Sequence, residues 1–298
     1  MQTDRAEAPL LAAGLVLLAS AFIAGTTLLA KAAGTDALGP ALHPLQVSHG
    51  RFLFAFLLIS TTVAMVRPHL VRPHWGWHIG RTSCGWAGVS LMFAAVAHIP
   101  LSDATAISFL NPVFAMMLAI PLLGERVGWV RWLAAGIALV GALVLLRPTP
   151  ASFEPAALLA FGAACVMGLE LIFIKRLSGR ERPLQILFFN NGLGLTIATL
   201  AVLSVWQMPT PAQWAALAGV GGLMACAQAC FVNGMARAEA SFVAPFSYAT
   251  LVFATLYDLL IFDVVPDWIS ITGAAIILTG AVLLAWREAR ASRRAGAS

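Results

Sequence analysis

The feature that most constrains this chain is an internal repeat. The stretch from Ala97 to Leu146, AHIPLSDATAISFLNPVFAMMLAIPLLGERVGWVRWLAAGIALVGALVLL, reads as two long apolar runs hinged at a charged, tryptophan-bearing turn, with Pro112 inside the first run. The same layout returns from Ala236 onward and aligns without a gap. Ser102 falls on Ser241, Ser108 on Ser247, Val113-Phe114-Ala115 on Val252-Phe253-Ala254, Trp129 on Trp268, and Gly141-Ala142 on Gly280-Ala281. Apolar composition yields isolated matches by chance, but not one register that keeps tryptophan, glycine and serines together. A repeat on this scale bounds the fold before any local reading does.

The chain has 298 residues, of which 60% are hydrophobic and 10% charged. A soluble protein carries about 25% charged residues, so the mass of this chain belongs in a membrane. Its net charge of +5 then speaks to orientation, not to nucleic acid, and no nucleic-acid partner is expected. Cys84, Cys165, Cys226 and Cys230 all fall inside apolar runs without metal-type spacing and read as small packing residues. The apolar run from Pro9 to Ala33 is too long for a signal-peptide core and reads as a retained first helix.

A membrane-spanning helix needs ~20 mostly apolar residues. That window gives ten candidates, at 10–32, 45–66, 78–98, 103–123, 129–147, 155–175, 183–205, 213–235, 240–262 and 268–286. With the N-terminus placed in the cytoplasm, the outer segments hold only Lys31 and Arg147, and Arg51 lies within the second run. All the other Lys and Arg residues, of 18 in total, fall on the inner side. Basic residues gather on the cytoplasmic side of membrane proteins, so both termini are expected there. The tryptophans agree: all except Trp86 sit at helix ends, where an indole meets both lipid and headgroups.

The repeat extends to the remaining helices. His43-Pro44-Leu45-Gln46 matches Arg182-Pro183-Leu184-Gln185 in the same register, and Lys31 matches Lys175 at a slightly longer spacing. The first five runs therefore repeat as the last five, with repeats over 1–148 and 149–298. Because five is odd, the second copy enters the membrane from the opposite side. Inverted repeats of this kind characterise secondary transporters, whose substrate site lies between the halves. The fold expected is an all-α membrane protein of ten transmembrane helices in two inverted five-helix repeats.

The motifs of the fourth and fifth runs carry a family resemblance. Pro100-Leu101-Ser102, Ala104, Phe109-Leu110-Asn111-Pro112-Val113-Phe114, Leu123-Gly124-Glu125-Arg126 and Arg131-Trp132-Leu133 resemble the drug/metabolite transporter superfamily, and within it the EamA-type ten-helix permeases. Arg51 in the second run also fits. The second copy departs from the pattern, with Phe262-Asp263-Val264 where the family shows Gly-Glu. The resemblance implies alternating access in a bacterial-type inner membrane. Its cargo would be a small organic metabolite moved outward, with amino acids (aromatic ones included) as the first expectation and another metabolite or vitamin as the second.

Polar side chains inside the runs are the candidate substrate contacts, because polar groups facing lipid are costly and turn toward a cavity or another helix. Ser247, Thr250 and Asp258 form one stripe in the ninth run with Ala254 between them, and Ser108 and Asn111 occupy the positions equivalent to Ser247 and Thr250. These read as cavity lining, with inter-helix hydrogen bonding as the alternative. Pro112 removes the usual partner of the Ser108 carbonyl, which would expose that oxygen or supply a hinge. Glu170, ahead of Lys175, reads either as a contact for a substrate ammonium or a proton, or as a salt-bridged surface group. Arg51 and Asp258 read as a pair or as the two ends of a zwitterion site, with structural stabilisation within the first repeat, or gating, as the leading role for Arg51. Asn190, which matches Arg51, and its neighbour Asn191 are structural or gating candidates. Gln228, Tyr248 and Trp86 complete the substrate candidates, with Phe109, Phe114, Phe246 and Phe253 as further aromatics. Gly136, Gly141, Gly273 and Gly280 read as close helix contacts.

No phosphate-cradling glycine loop or Walker motif is present, so no cofactor is expected and transport would run on gradients or facilitated diffusion. An intramembrane enzyme would need acid, base or metal-ligand groups converging at one depth. The six histidines all lie at or near helix ends, and none is expected to join such a set.

Overall fold

The computed structural model describes residues 8–34, 36–96, 98, 101–148, 155, 157–262 and 265–295. These residues are overwhelmingly helical, with no strand among them. The first repeat comprises α1 (Pro9–Ala33), α2 (Pro44–Val66), α3 (Trp75–Val96), a span broken into α4 (Leu101–Ser108) and α5 (Asn111–Leu123), and α6 (Trp129–Leu146). The second comprises α7 (Ala157–Ser178), α8 (Pro183–Val202), α9 (Pro211–Met235), a span broken into α10 (Ala240–Val243), a tight turn at Ala244–Tyr248 and α11 (Ala249–Phe262), and α12 (Trp268–Ala295). The residues at the expected junction of the repeats, 149–154, lie outside the described ones.

Local chemistry sets the helix ends. Proline opens α1, α2, α8 and α9, where its missing N–H would have had no helical partner anyway. The Thr210 side chain accepts from Gln213 N while the Gln213 side chain accepts from Thr210 N, closing a capping box on α9. Gly124, at φ 72°, ends α5 in the left-handed conformation that glycine adopts without strain.

Among the described residues, nine segments are long and apolar enough to cross a bilayer. The tenth expected span is α3. It is 22 residues long, about 33 Å at 1.5 Å per residue, and it carries His78, Arg81 and Thr82, all buried against other helices. The lower apolarity of α3 thus reflects an inward polar face. Outward faces are apolar: Leu158, Leu200, Leu260, Val282 and Trp268 are all largely exposed, as expected of a surface solvated by lipid.

The packing repeats with the sequence. α1 lies along α9 as α7 lies along α3, and α5 packs on α7 as α11 packs on α1. The pairs α2–α8 and α6–α12 face each other across the pseudo-two-fold axis. Equivalent residues meet at that axis. Phe109 and Tyr248, 139 positions apart, are hydrogen-bonded through the Tyr248 hydroxyl and the Phe109 carbonyl. In the α6–α12 contact, a Cβ on Gly141 would meet Ile277 N at 2.7 Å, and one on Gly280 would meet Ala134 O at 2.8 Å. Gly273 is equally tight, but Gly136, expected in the same contact, has open space around it.

One symmetry-related pair breaks the pattern. α2 packs along much of α9, whereas α3 and α8 touch far less. Their polar and ring contacts fall near the starts of both helices, at Trp75, His78 and Thr82 on α3 and at Phe189 and Asn190 on α8.

The α6–α12 contact yields a stability test. Gly141→Val should overpack it by ~1–3 kcal/mol and lower the thermal midpoint of the purified protein, while Gly136→Ala should leave the midpoint unchanged or raised. Equal effects of the two changes would contradict the tight crossing.

Candidate functional site: a polar cluster between the repeats

The two broken spans are built by the polar residues that the sequence singles out. Ser108 Oγ donates to Thr105 O at 2.8 Å, and Ser247 Oγ donates to the equivalent Ala244 O at 2.7 Å. Asn111 Nδ2 donates to Ser108 O at 2.9 Å. The carbonyl that Pro112 deprives of a partner is therefore satisfied by a side chain one turn on, and the expectation of a free oxygen there is corrected. Pro112 itself is buried at the first turn of α5. Tyr248 is fully buried, stacks on Phe109 with ring centroids 5.7 Å apart, and commits its hydroxyl to the Phe109 carbonyl at 2.7 Å. Its place is the axis contact. Phe114 packs on Phe161 and Phe246 on Phe242, so these aromatics pair within the bundle. Thr250 is half-buried. The side chain of Asp258 lies outside the described residues. Trp86 is 55% exposed and points away from the α7-facing glycine Gly88, two residues and about 200° further around α3.

A second set of polar side chains faces inward from five helices. Glu170 on α7 lies 3.9 Å from Arg81 Nε on α3. Its carboxylate rests over Gly85, where a Cβ would sit 3.2 Å away. Arg51 on α2, whose guanidinium sits 4.1 Å from the Phe52 ring centroid, is electrostatically coupled to the same carboxylate. Thr82 on α3 donates to Asn190 on α8 at 3.3 Å. Asn191 on α8 donates to Gln228 on α9 at 2.8 Å and to Leu187 O at 2.9 Å. Arg51 thus couples to Glu170 from the opposite repeat, and the expected alternative of an Arg51–Asp258 pair is not tested by the described side chains.

Two features make this set chemically unfinished. The Arg81 side chain is 3% exposed, yet its Nε and Nη1 have no hydrogen-bond partner among the described residues. Buried guanidinium N–H groups left unpaired are costly and call for an acceptor. Glu170 keeps 24% of its side-chain surface open, so a small molecule reaching it also approaches Arg81. Two arginines and one carboxylate leave the set net positive, a charge balance that suits an anionic group beside a carboxylate that can take a cation. Lys175 is not the partner of Glu170: its ammonium donates to the carbonyls of Met235 and Ala238 near the end of α9.

Sequence reasoning counted Arg81 only among the inner-side basic residues and did not single it out as a site residue. The structure places it two turns inside α3, facing α7. It also missed a histidine set near the start of α3. His78 Nε2 lies 2.8 Å and His74 Nδ1 3.1 Å from the buried Glu181 carboxylate, at the helix end where the sequence places them. The i, i+4 spacing of His74 and His78 was the available signal, but their partner is over 100 residues away in the chain.

The end of the bundle that bears Glu181 is tied in other ways. Glu125 accepts from Ala240 N at 2.7 Å and Ser241 N at 2.9 Å, capping α10. Arg131 binds Glu239 and donates to Ser241 Oγ at 2.9 Å. Val264, which stands where the second copy would need this carboxylate, lies outside the described residues. Tyr248→Phe removes the partner of the Phe109 carbonyl at the axis. It should cost ~1–3 kcal/mol, read as a lower thermal midpoint, and an unchanged midpoint would contradict the bond.

Comparison with known proteins places this arrangement. The EamA-like transporter family model matches residues 10–147 and 154–286. A riboflavin transporter of Vibrio cholerae is 32% identical over 80% of this chain and 87% of its own length. An S-adenosylmethionine uptake transporter of Rickettsia bellii is 26% identical over 85% of this chain and 88% of its own. One crystal structure superimposes with a TM-score of 0.78 at 20% identity, covering 94% of this chain and 98% of that one, a likeness of fold. With both of its repeats matched, the chain belongs to the EamA-like family of multi-pass membrane transporters, carriers of small molecules and not enzymes.

Proposed function

We propose that the chain is a gradient-driven transporter of the inner membrane whose substrate binds at Arg81, Glu170 and Arg51, and that the substrate carries an amino-acid-like zwitterion. The observation that supports this reading is the buried Arg81 guanidinium with two nitrogens unpartnered among the described residues, 3.9 Å from a partly open carboxylate. A substrate carboxylate would complete Arg81, and a substrate ammonium would lie against Glu170. Export of amino acids is the first form of the proposal, with the end bearing Glu181 facing the cytoplasm in line with its basic residues. S-adenosylmethionine, named for one relative, itself carries an amino-acid head. Riboflavin is the second reading, favoured by the name of the 32%-identical relative. It has no ammonium group and would lean on Arg81 more than on Glu170.

Counterflow in proteoliposomes with L-phenylalanine, S-adenosylmethionine and riboflavin separates these readings. Losing one charge-assisted contact costs ~1.5–3 kcal/mol, roughly 10–100-fold in affinity. For a zwitterion, Arg81→Gln and Glu170→Gln should each weaken transport by that factor while the protein stays folded. For riboflavin, only the arginine change should. Wild-type flux in both variants would remove the cluster from substrate binding. A reporter fused after Arg294 should behave as cytoplasmic, and a signal from the other side would reverse the proposed orientation.

A further inference from the structure

The histidine set at the start of α3 is more than a packing detail. Glu181 sits in the turn between α7 and α8 with its side chain fully buried. Its Oε1 accepts from His74 N at 2.8 Å and lies 3.1 Å from His74 Nδ1. Its Oε2 lies 2.8 Å from His78 Nε2 and accepts from Gln185 Nε2 at 2.7 Å. Because a carboxylate can only accept, Nε2 of His78 carries a proton. The other ring nitrogen, Nδ1, is buried without a hydrogen-bond partner among the described residues. This clasp, with the Thr82–Asn190 bond one turn deeper, joins two helices that otherwise touch little.

The equivalent place at the other end of the bundle is built differently. At the repeat spacing of 139, His78 corresponds to Leu217 and Glu181 to Leu42, which share one buried apolar cluster. His74 corresponds to Gln213, whose amide donates to Pro40 O at 2.7 Å. Gln185 corresponds to Gln46. Each of those glutamines bonds a backbone segment across the bundle, Val71 for one and Gln207 for the other. The frame of the two clasps is thus the same. The difference is that one is closed by imidazole and carboxylate and the other by leucines and amides.

We propose that His78 and Glu181 form a proton-controlled latch on the α3–α8 side of the transporter, switching access from this end alone. Protonation of His78 at Nδ1 places a positive charge on the donor of a bond whose acceptor is already a carboxylate, turning it into a full ion pair. Acid pH tightens the latch and alkaline pH loosens it. The leucine closure opposite does not respond.

The surrounding charges fit this assignment. They are His74, just ahead of α3, and Arg81 on α3, three residues beyond His78. Arg176 from α7 and Arg180 from the turn after it lie over the Trp77 ring, which stacks on His74. α8 carries no charged residue and presents Phe189 and Asn190. Burial favours the neutral form of Glu181, but the hydrogen bonds from His78 and His74 outweigh it and hold the carboxyl below its usual range. A depressed carboxylate stabilises the fold above its ordinary pKa and loses that effect only as pH falls through its lowered value. Glu181 therefore stays ionised where imidazoles titrate, between about pH 5 and 8.

The test reads distance and needs no substrate, so its failure leaves the substrate assignment intact. Spin labels go on cysteines at the exposed Ile79 and Arg182, and separately at the exposed Ala41 and Ala215, in a background lacking the four native cysteines. The Ile79–Arg182 separation should be longer at about pH 8 than at about pH 5.5, and the Ala41–Ala215 separation equal at both. His78→Gln, which still donates to Glu181 but cannot take up the proton, should abolish the response. If that variant fails to fold, Glu181→Gln serves instead, and acid pH should no longer shorten the distance. An unchanged separation in the parent, an equal response at the opposite end, or a parental response in the variants would overturn the latch.

Discussion

A backbone amide or a charged side chain in hydrocarbon has no water to fall back on, and must find its partner inside the protein. Most of this structure follows from that constraint. Continuous helices satisfy it by their own hydrogen bonds. The two broken spans satisfy it with side chains: Asn111 takes the Ser108 carbonyl, Tyr248 takes the Phe109 carbonyl, and Ser108 and Ser247 bond back into their own turns. Breaks that would be intolerable facing lipid become the contact that holds the two repeats together at the axis.

Against that background, Arg81 stands out as a buried charged group with nitrogens left unpartnered among the described residues. Its neighbours provide one carboxylate beyond hydrogen-bond distance and a second arginine coupled to that carboxylate. Elsewhere the bundle pairs its charges closely, as in the contacts of Arg131 with Glu239 and of Lys175 with the carbonyls near the end of α9. A site that leaves a guanidinium unfinished in the interior suits a molecule that completes it for part of the time.

The two ends of the bundle are related by symmetry but are not chemically equal. Glu125 caps α10 at one end, and at the equivalent place in the second copy the sequence has Val264. His78 and Glu181 face Leu217 and Leu42 across the same operation. Alternating access requires two ends that open at different times, and unequal chemistry on an equal frame supplies that difference. At the end with exposed ion pairs, Arg147 and Asp267 bind each other, and the hydrogen bond from Arg147 holds the Asp267 carboxyl well below its usual range.

The repeat, the inverted topology and the spans were legible in the sequence, because each is written in composition or register. The break in the fourth run was legible too, from Pro112, whereas the ninth run read as one continuous helix and is broken at Ala244–Tyr248. What could not be read was direction. Whether Asn111 and Ser247 face a cavity or their own backbone depends on how the chain bends there. Whether Arg81 flanks the membrane or lies within it depends on where α3 begins. Tyr248 looked like a substrate contact until packing set it against Phe109. The histidines acquired a partner only when folding brought Glu181 to them from the far side of α7. Sequence alone determined which segments enter the membrane and how often the pattern repeats, because burial in lipid is a property of each segment by itself. Tertiary structure decided which polar group meets which, because a hydrogen bond depends on distances between segments that no local pattern records.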